Sequence, residues 1–418
     1  MKTILKHTYL EKRFFTLFFG IVILFVTAYF FQNLLWLAKL LFYGFVVVFI
    51  VDIWLLFRNK NGIYATRTLP EKLSNGDDNT IEIIISNTNT YTCSIKVIDE
   101  LPVQLQIRDF LITTTLKPAE EKKLTYTLRP TSRGEYHFGH LNVYSQSPIK
   151  FISRKQMYAT GAKVPNYPSF LQLKKYEFIA FTNRLKNYGL KNWKATAKRN
   201  QVMVNQYQDE KSQPVYSIID TGRVMKMPFN RLSLLDYAIN STLAISNIVM
   251  KKNDKAGMFT FSRKVENKVA ADRRKSQMQL ILETLYNIET DYSESDFLRL
   301  YVDIKRMVKQ RSLLLLYTNF ETMDALHRQL PYLIAIAKHH LLVVIFFENT
   351  ELKSLLHSNA KTTKEIFDKT IAEKFAFEKK LIVNELHKYG IQSILTAPED
   401  LSINTINKYL EIKARGLI

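Results

Sequence analysis

Long unbroken apolar runs open the chain and then give way to short alternating ones, and this change of pattern divides it. Phe14 to Phe31 is apolar and aromatic apart from Thr16, Gly20 and Thr27, and Leu40 to Phe57 is a second such run, interrupted by Asp52. Each is close to the ~20 residues a helix needs to cross a bilayer. Between them lie Gln32, Asn33 and a short amphipathic piece ending at Lys39, too little for a domain. Residues 1–58 are therefore expected to form a membrane hairpin with spans at about 14–31 and 40–57. No small-residue cleavage site follows the first run and a second span comes at once, which argues against a removable signal peptide. Asp52 is expected to reach the headgroups or to pair with Arg58.

Over residues 59–154 the period falls to two. Thr80–Ser86, Ser94–Ile98, Ile107–Leu116, Lys123–Leu128 and Tyr136–Tyr144 are short β-rich runs separated by Asn, Asp, Pro and Gly turns, which predicts a small antiparallel β-sandwich. Residues 155–212 show little β pattern and gather positive charge at Lys174, Lys175, Arg184, Lys186, Lys191, Lys194, Lys198 and Arg199, so they are expected to be a basic connector. Within 213–418, strands alternate with helices. Pro214–Asp220 is an apolar run ending on a carboxylate, Leu232–Asn253 has helical spacing, and Lys255–Ser262 is again strand-like. The same alternation continues through strands Ser312–Tyr317, Leu341–Phe347 and Gln392–Thr396, with helices between them and a last helix from Ser402. This predicts an α/β doubly wound sheet whose binding crevice lies at the strands' carboxyl ends, where Asp220, Thr318 and Glu348 fall.

Charge adds orientation and partners. The chain of 418 residues carries a net charge of +21, suited to an anionic membrane surface or an acidic protein partner. Tyr176, Tyr188 and Trp193 interleave the basic connector, yet no nucleic-acid-binding signature accompanies them, and nucleic acid is not expected as a partner. Lys2, Lys6, Lys12 and Arg13 precede the first span and Arg58, Lys60 and Arg67 follow the second, while the turn holds only Lys39. The positive-inside rule then places both ends of the hairpin, and the soluble parts, in the cytoplasm. The lone cysteine, Cys93, excludes an internal disulfide. No phosphate-cradling glycine loop, Gly-x-Ser-x-Gly or His-Glu-x-x-His motif is present, so neither catalysis nor a cofactor is expected.

An Asp-terminated first strand, a long helix and a Gly-x-x-x-Phe strand resemble the von Willebrand factor type A fold. More narrowly, Asn192–Arg199 with Trp193, Lys194, Ala197 and Arg199, then Met203–Glu210 with Tyr207 and Glu210, resemble the domain-of-unknown-function 58 family. Arg129-Pro-x-x-Arg133-Gly134-x-Tyr136-x-Phe138-Gly139 is similar to the end of that family's β-sandwich. The resemblance implies a membrane-anchored protein associated with MoxR-type AAA+ ATPases, working as a non-enzymatic adaptor or scaffold, in a hetero-oligomeric complex of the bacterial inner membrane, that helps remodel or mature client proteins. Metal-binding type A domains present Asp-x-Ser-x-Ser, but here Asp220 is followed by Gly222 and Val224, which cannot ligate, and Asn319 stands where a third-loop aspartate is expected. The site is read as degenerate, with Asp220 bonded to loop N–H groups and Arg223 as a counter-charge. Asp220, Thr221, Arg223, Thr318, Asn319 and Glu348 are then candidates for partner binding. The alternative is a ligand- or metal-binding receptor of the type A class at the cell envelope.

Overall fold

A computed structural model describes residues 7–59, 62–173, 175–178, 212–350 and 362–417. The chain forms two compact units. The first comprises residues 1–73, 78–130 and 135–166; the second comprises 74–77, 131–134 and 167–418.

In the first unit, helices α1 (Lys12–Phe30) and α2 (Leu35–Arg58) are joined by a 3-10 turn at Gln32–Leu34. Both are long and apolar enough to cross a membrane. Strand β1 (Thr8–Leu10) precedes α1, and the remaining strands follow α2: β2 (Ile63–Thr68), β3 (Leu73–Ser74), β4 (Asn79–Asn87), β5 (Cys93–Asp99), β6 (Ile112–Leu116), β7 (Glu121–Leu128), β8 (Gly134–Phe138), β9 (Leu141–Gln146), β10 (Ile152–Tyr158) and β11 (Ala162–Tyr167). They make sheets in the orders β1-β10-β9-β5-β6, β2-β4-β7 and β3-β11-β8. Alternation decides what is inside: Ile81, Ile83 and Ile85 of β4 and Ile95 and Val97 of β5 are buried while their neighbours are not.

Three expectations change here. The run Tyr136–Tyr144 is two strands, because the chain turns at Gly139 and His140, whose N–H groups both bond Glu100. The start of the supposed connector is sheet, since β10 and β11 occupy residues up to Tyr167; half-buried Lys, Gln and Tyr side chains hide the β pattern there. Asp52 meets neither headgroups nor Arg58. It is buried and accepts the Ser147 hydroxyl and the N–H groups of Phe151 (3.0 Å) and Ile152 (3.1 Å), while Arg58 lies over the Trp54 ring at 5.0 Å. The last carbonyls of α2, which no helical N–H can reach, are taken by side chains from the β-rich part: Tyr91 bonds Leu55 O at 2.9 Å, and Arg154 bonds Leu56 O at 2.8 Å and Asn59 O at 2.9 Å.

The second unit is built on a six-stranded sheet in the order β16-β15-β12-β17-β18-β19. Its strands are β12 (Pro214–Asp220), β15 (Lys255–Phe261), β16 (Val265–Asp272), β17 (Leu313–Tyr317), β18 (Leu341–Phe347) and β19 (Gln392–Thr396); β13 (Pro228–Phe229) and β14 (Leu232–Ser233) form a small separate ribbon. All neighbours run parallel except the edge strand β16. One face packs Ile219, Leu315, Tyr317 and Ile345 under α3 (Leu234–Lys251), α4 (Gln277–Tyr286) and α8 (Leu401–Ala414). The other packs Ile218, Leu316, Val344 and Phe346 under α5 (Phe297–Met307), α6 (Met323–Ala337) and α7 (Thr363–Lys388). Covering on both faces explains the continuous apolar runs of β17 and β18. Strands Pro214–Asp220, Leu341–Phe347 and Gln392–Thr396 match the expected ranges residue for residue. Ser233 and Asp236 start α3 with a reciprocal capping box, which fixes where the chain returns after the loop that follows Asp220.

Candidate functional site

Parallel strands deliver their last residues to one edge, and here that edge is centred on Asp220. The side chain is completely buried. Its Oδ1 accepts the Gly222 N–H at 2.8 Å and the Ser295 hydroxyl, and its Oδ2 accepts the Thr318 hydroxyl at 2.7 Å. Desolvation raises its pKa above the ordinary carboxylate value, the three donated bonds oppose that in part, and the charge of Asp291 adds to it. Thr221 closes the turn by donating its N–H (2.8 Å) and hydroxyl (3.1 Å) to Phe261 O.

Near this buried carboxylate is a second, exposed one. Asp291 accepts the hydroxyls of Ser262 and Ser293, each at 2.5 Å, and the Ser293 N–H at 3.1 Å. Desolvation raises its pKa, and these bonds together with Arg263 outweigh that, leaving it below the usual value. The Arg223 N–H bonds Ser293 O at 2.9 Å, tying the loop after β12 to the segment before α5. Gly222 is required here: a Cβ would lie 2.2 Å from Ser295 Oγ and 2.9 Å from Ser293 O.

Of the residues expected at the site, the structure brings Asp220, Thr221, Gly222 and Thr318 together and buries their side chains or turn. Asn319 is buried too and accepts a bond from Lys379 Nζ at 2.7 Å; the same ammonium donates to Phe320 O at 2.5 Å. Burial pushes Lys379 down to about 8, with Glu321 opposing. Arg223 is not a counter-charge to Asp220: it is exposed, and its guanidinium lies 3.9 Å from Glu294. The Asp220 carboxylate is instead met by neutral donors, which need less space than a guanidinium in a closed pocket. Glu348 is half-buried, with its N–H bonded to Thr396 O. Val224 is partly buried against the core. Trp193, Lys194, Ala197, Arg199, Tyr207 and Glu210 lie outside the described residues.

Ser295, Asp291 and Ser293 were not anticipated. A signal exists in the run Asp291-Tyr-Ser-Glu-Ser295, an Asp-x-Ser-x-Ser spacing placed on a different loop from Asp220. Around Asp220 the oxygen side chains are one carboxylate and two hydroxyls, both of which donate their protons to it. Among the described residues no cluster of three or more His, Cys, Asp or Glu side chains is placed to hold a metal. The exposed rim is aromatic and carries both charges: Lys226 Nζ sits 3.6 Å from the centroid of the exposed Tyr292 ring, and Arg223 faces Glu294, with Asp291 also exposed.

Residues 190–355, which include Asp220, Ser295 and Thr318, match the family described as protein of unknown function DUF58. The match supports membership of this family over those residues. No curated protein matches it. Among solved structures, the chain is similar to the CARDB domain of a Pyrococcus furiosus protein (18% identity, 25% of this chain, 86% of that one, TM-score 0.19). It is also similar to Escherichia coli alpha-2-macroglobulin from domain MG7 to the C-terminus (15% identity, 25% of this chain, 16% of that one, TM-score 0.21). At such scores neither likeness bears on fold or function.

Proposed function

We propose that this DUF58 protein is a non-enzymatic, membrane-anchored adaptor of the bacterial inner membrane. Its hairpin holds it in the bilayer, its β-rich part is a sandwich that spaces or recognises, and its α/β unit is a degenerate von Willebrand factor type A-like domain. The soluble parts face the cytoplasm. The carboxyl-edge rim docks a MoxR-type AAA+ ATPase, the partner implied by the family resemblance, and the pair remodels or matures client complexes. The observation that supports this reading most is the way Asp220 is spent: three internal donors saturate it below an exposed rim of Arg223, Lys226 and Tyr292. A buried, satisfied carboxylate shapes a surface; it does not itself touch a partner or a substrate.

The test is affinity purification of the full chain from native membranes after mild crosslinking, comparing wild type with Arg223→Glu/Lys226→Glu. Reversing two exposed charges at a docking rim is expected to cost roughly 1–3 kcal/mol, about tenfold or more in recovered AAA+ ATPase. Undiminished recovery of the ATPase by the variant would remove the rim from the interface. Enrichment of envelope ligands with no ATPase would favour the receptor alternative.

A further inference from the structure

The turn that joins β9 to β10 does something a soluble loop does not need to do. Phe151 and Ile152 point their N–H groups at Asp52, at 3.0 and 3.1 Å, and the Ser147 hydroxyl takes the other carboxylate oxygen while accepting the Ile149 N–H at 3.0 Å. Asp52 lies on α2 about 9 Å of helix rise before Arg58. The Phe151 ring goes further along the hairpin. Its centroid is 5.4 Å from that of Phe45 and 6.3 Å from that of Phe14, and Phe45 is about 20 Å of rise before Arg58. Phe151 closes one end of the groove between the helices that Gly20, Leu24, Leu41 and Gly44 line. Ile149 packs on the same cluster, with Leu56, Ile53 and Phe49.

Lys12 and Arg13 at the start of α1, and the Arg58–Trp54 stack at the end of α2, mark the level of the bilayer surface. The turn reaches that level, where Phe151 O accepts the Glu11 N–H at 2.9 Å just before α1, and the Phe151 ring continues past it to Phe14 and Phe45. In hydrocarbon an unpaired backbone N–H is strongly disfavoured, and irregular backbone survives there only where protein satisfies it. A carboxylate in a span is equally in need of partners. Asp52 and the turn solve each other's problem, which accounts for the one acidic residue of α2.

We infer that the Ser147–Ile152 turn is a membrane-embedded wedge, seated in the edge of the lipid bilayer with Asp52 as its backbone acceptor. It is an element additional to the two helices, and it fixes the β-rich part against the lipid surface. The inference rests on the membrane-anchored part of the proposed function and not on the adaptor part.

Full-length protein carrying Cys93→Ala is reconstituted in lipid vesicles and labelled with an environment-sensitive fluorophore at one new cysteine. Cys93 itself is buried, with its thiol pushed up to about 11 by desolvation, so replacing it disturbs no reactive site. Lys150→Cys probes the turn; the residue already holds φ 63, so cysteine inherits its backbone without added strain. Phe19→Cys, 65% exposed on α1, calibrates the span, and Met157→Cys, 57% exposed toward the far end of β10, reports the aqueous level. Lipids bearing a nitroxide near the headgroup are expected to quench the Lys150 label several-fold more than the Met157 label. Adding Asp52→Leu should bring Lys150 quenching down toward the Met157 level while leaving Phe19 unchanged. Quenching at Phe19 with none at Lys150 beyond the Met157 level overturns the wedge and leaves the hairpin standing. Absence of quenching at Phe19 overturns both, and neither result touches the ATPase recovery experiment.

Discussion

Asp220→Ala puts the central claim about the edge loops at risk. The substitution leaves three donors without an acceptor: the buried Gly222 N–H and Thr318 hydroxyl, and the half-buried Ser295 hydroxyl. The hydroxyls can rotate toward other oxygens, but the backbone N–H cannot, so the loss is one donor in full and two in part. At about 1–3 kcal/mol for an orphaned buried donor, this sums to roughly 3 kcal/mol. Asp220→Asn keeps an amide oxygen for Gly222 and removes a buried charge, and is expected to cost no more than about 1 kcal/mol near neutral pH. The pH dependence separates the two causes. Because the folded-state pKa of Asp220 is raised, the folded protein holds the proton more tightly than the unfolded chain, and stability falls as pH rises from the ordinary carboxylate range through the folded pKa. The Asn variant lacks that slope, so it gains on wild type as pH increases. Hydrogen–deuterium exchange of β12 and β17 amides in the full chain, read by mass spectrometry, measures this directly: 3 kcal/mol corresponds to roughly a hundredfold loss of protection. Protection in the Ala variant equal to wild type would refute the argument that these bonds hold the edge together.

Two further outcomes follow from the same loops. Gly222→Ala forces a Cβ to within 2.2 Å of Ser295 Oγ and 2.9 Å of Ser293 O, and is expected to destabilise by about 1–3 kcal/mol in thermal melts; Ser295→Gly in the same chain should recover part of that loss by clearing the nearer contact. Lys379, held near 8 in the folded state against 10.5 as its reference, sheds its proton earlier than the unfolded chain does, so its contribution to stability rises between those two values. The difference in melting temperature between wild type and Lys379→Met should therefore change in favour of wild type across that interval, and a constant difference would show that the ammonium does not titrate there.

Much of the α/β unit could be read in advance because its strands are buried on both faces. A run such as Leu341–Phe347 has no polar residue to blur its ends, and Asp220 is marked by closing such a run. Ser295 and Asp291 carry no comparable mark. They stand in a stretch without periodicity before α5, and reach Asp220 only because β15 and β12 lie side by side in register. Asp52 illustrates the limit in the other direction: the residue was conspicuous, but its partners at Ser147, Phe151 and Ile152 are far along the chain, and no local pattern encodes that pairing. β10 carries no such pattern because its side chains are half-covered rather than alternately hidden and wet, with Arg154 turned to the end of α2 and Tyr158 to the Ile63 carbonyl of β2.

The pairing of β1 with β10 imposes an order on synthesis. Thr8 lies opposite Arg154, so β1 waits for roughly 145 more residues, or ~7–30 s at 5–20 residues per second, before its hydrogen-bonding edge is covered. In that interval α1 and α2 are complete, and under the membrane-anchored reading proposed above their entry into lipid carries both ends of the hairpin to one plane. Insertion shortens the search that β10 must make, since its target is then moored at a surface instead of drifting in solution. Detaching translation from membrane delivery should strand β1 as an open edge, the form in which a nascent chain is most prone to pair with its neighbours.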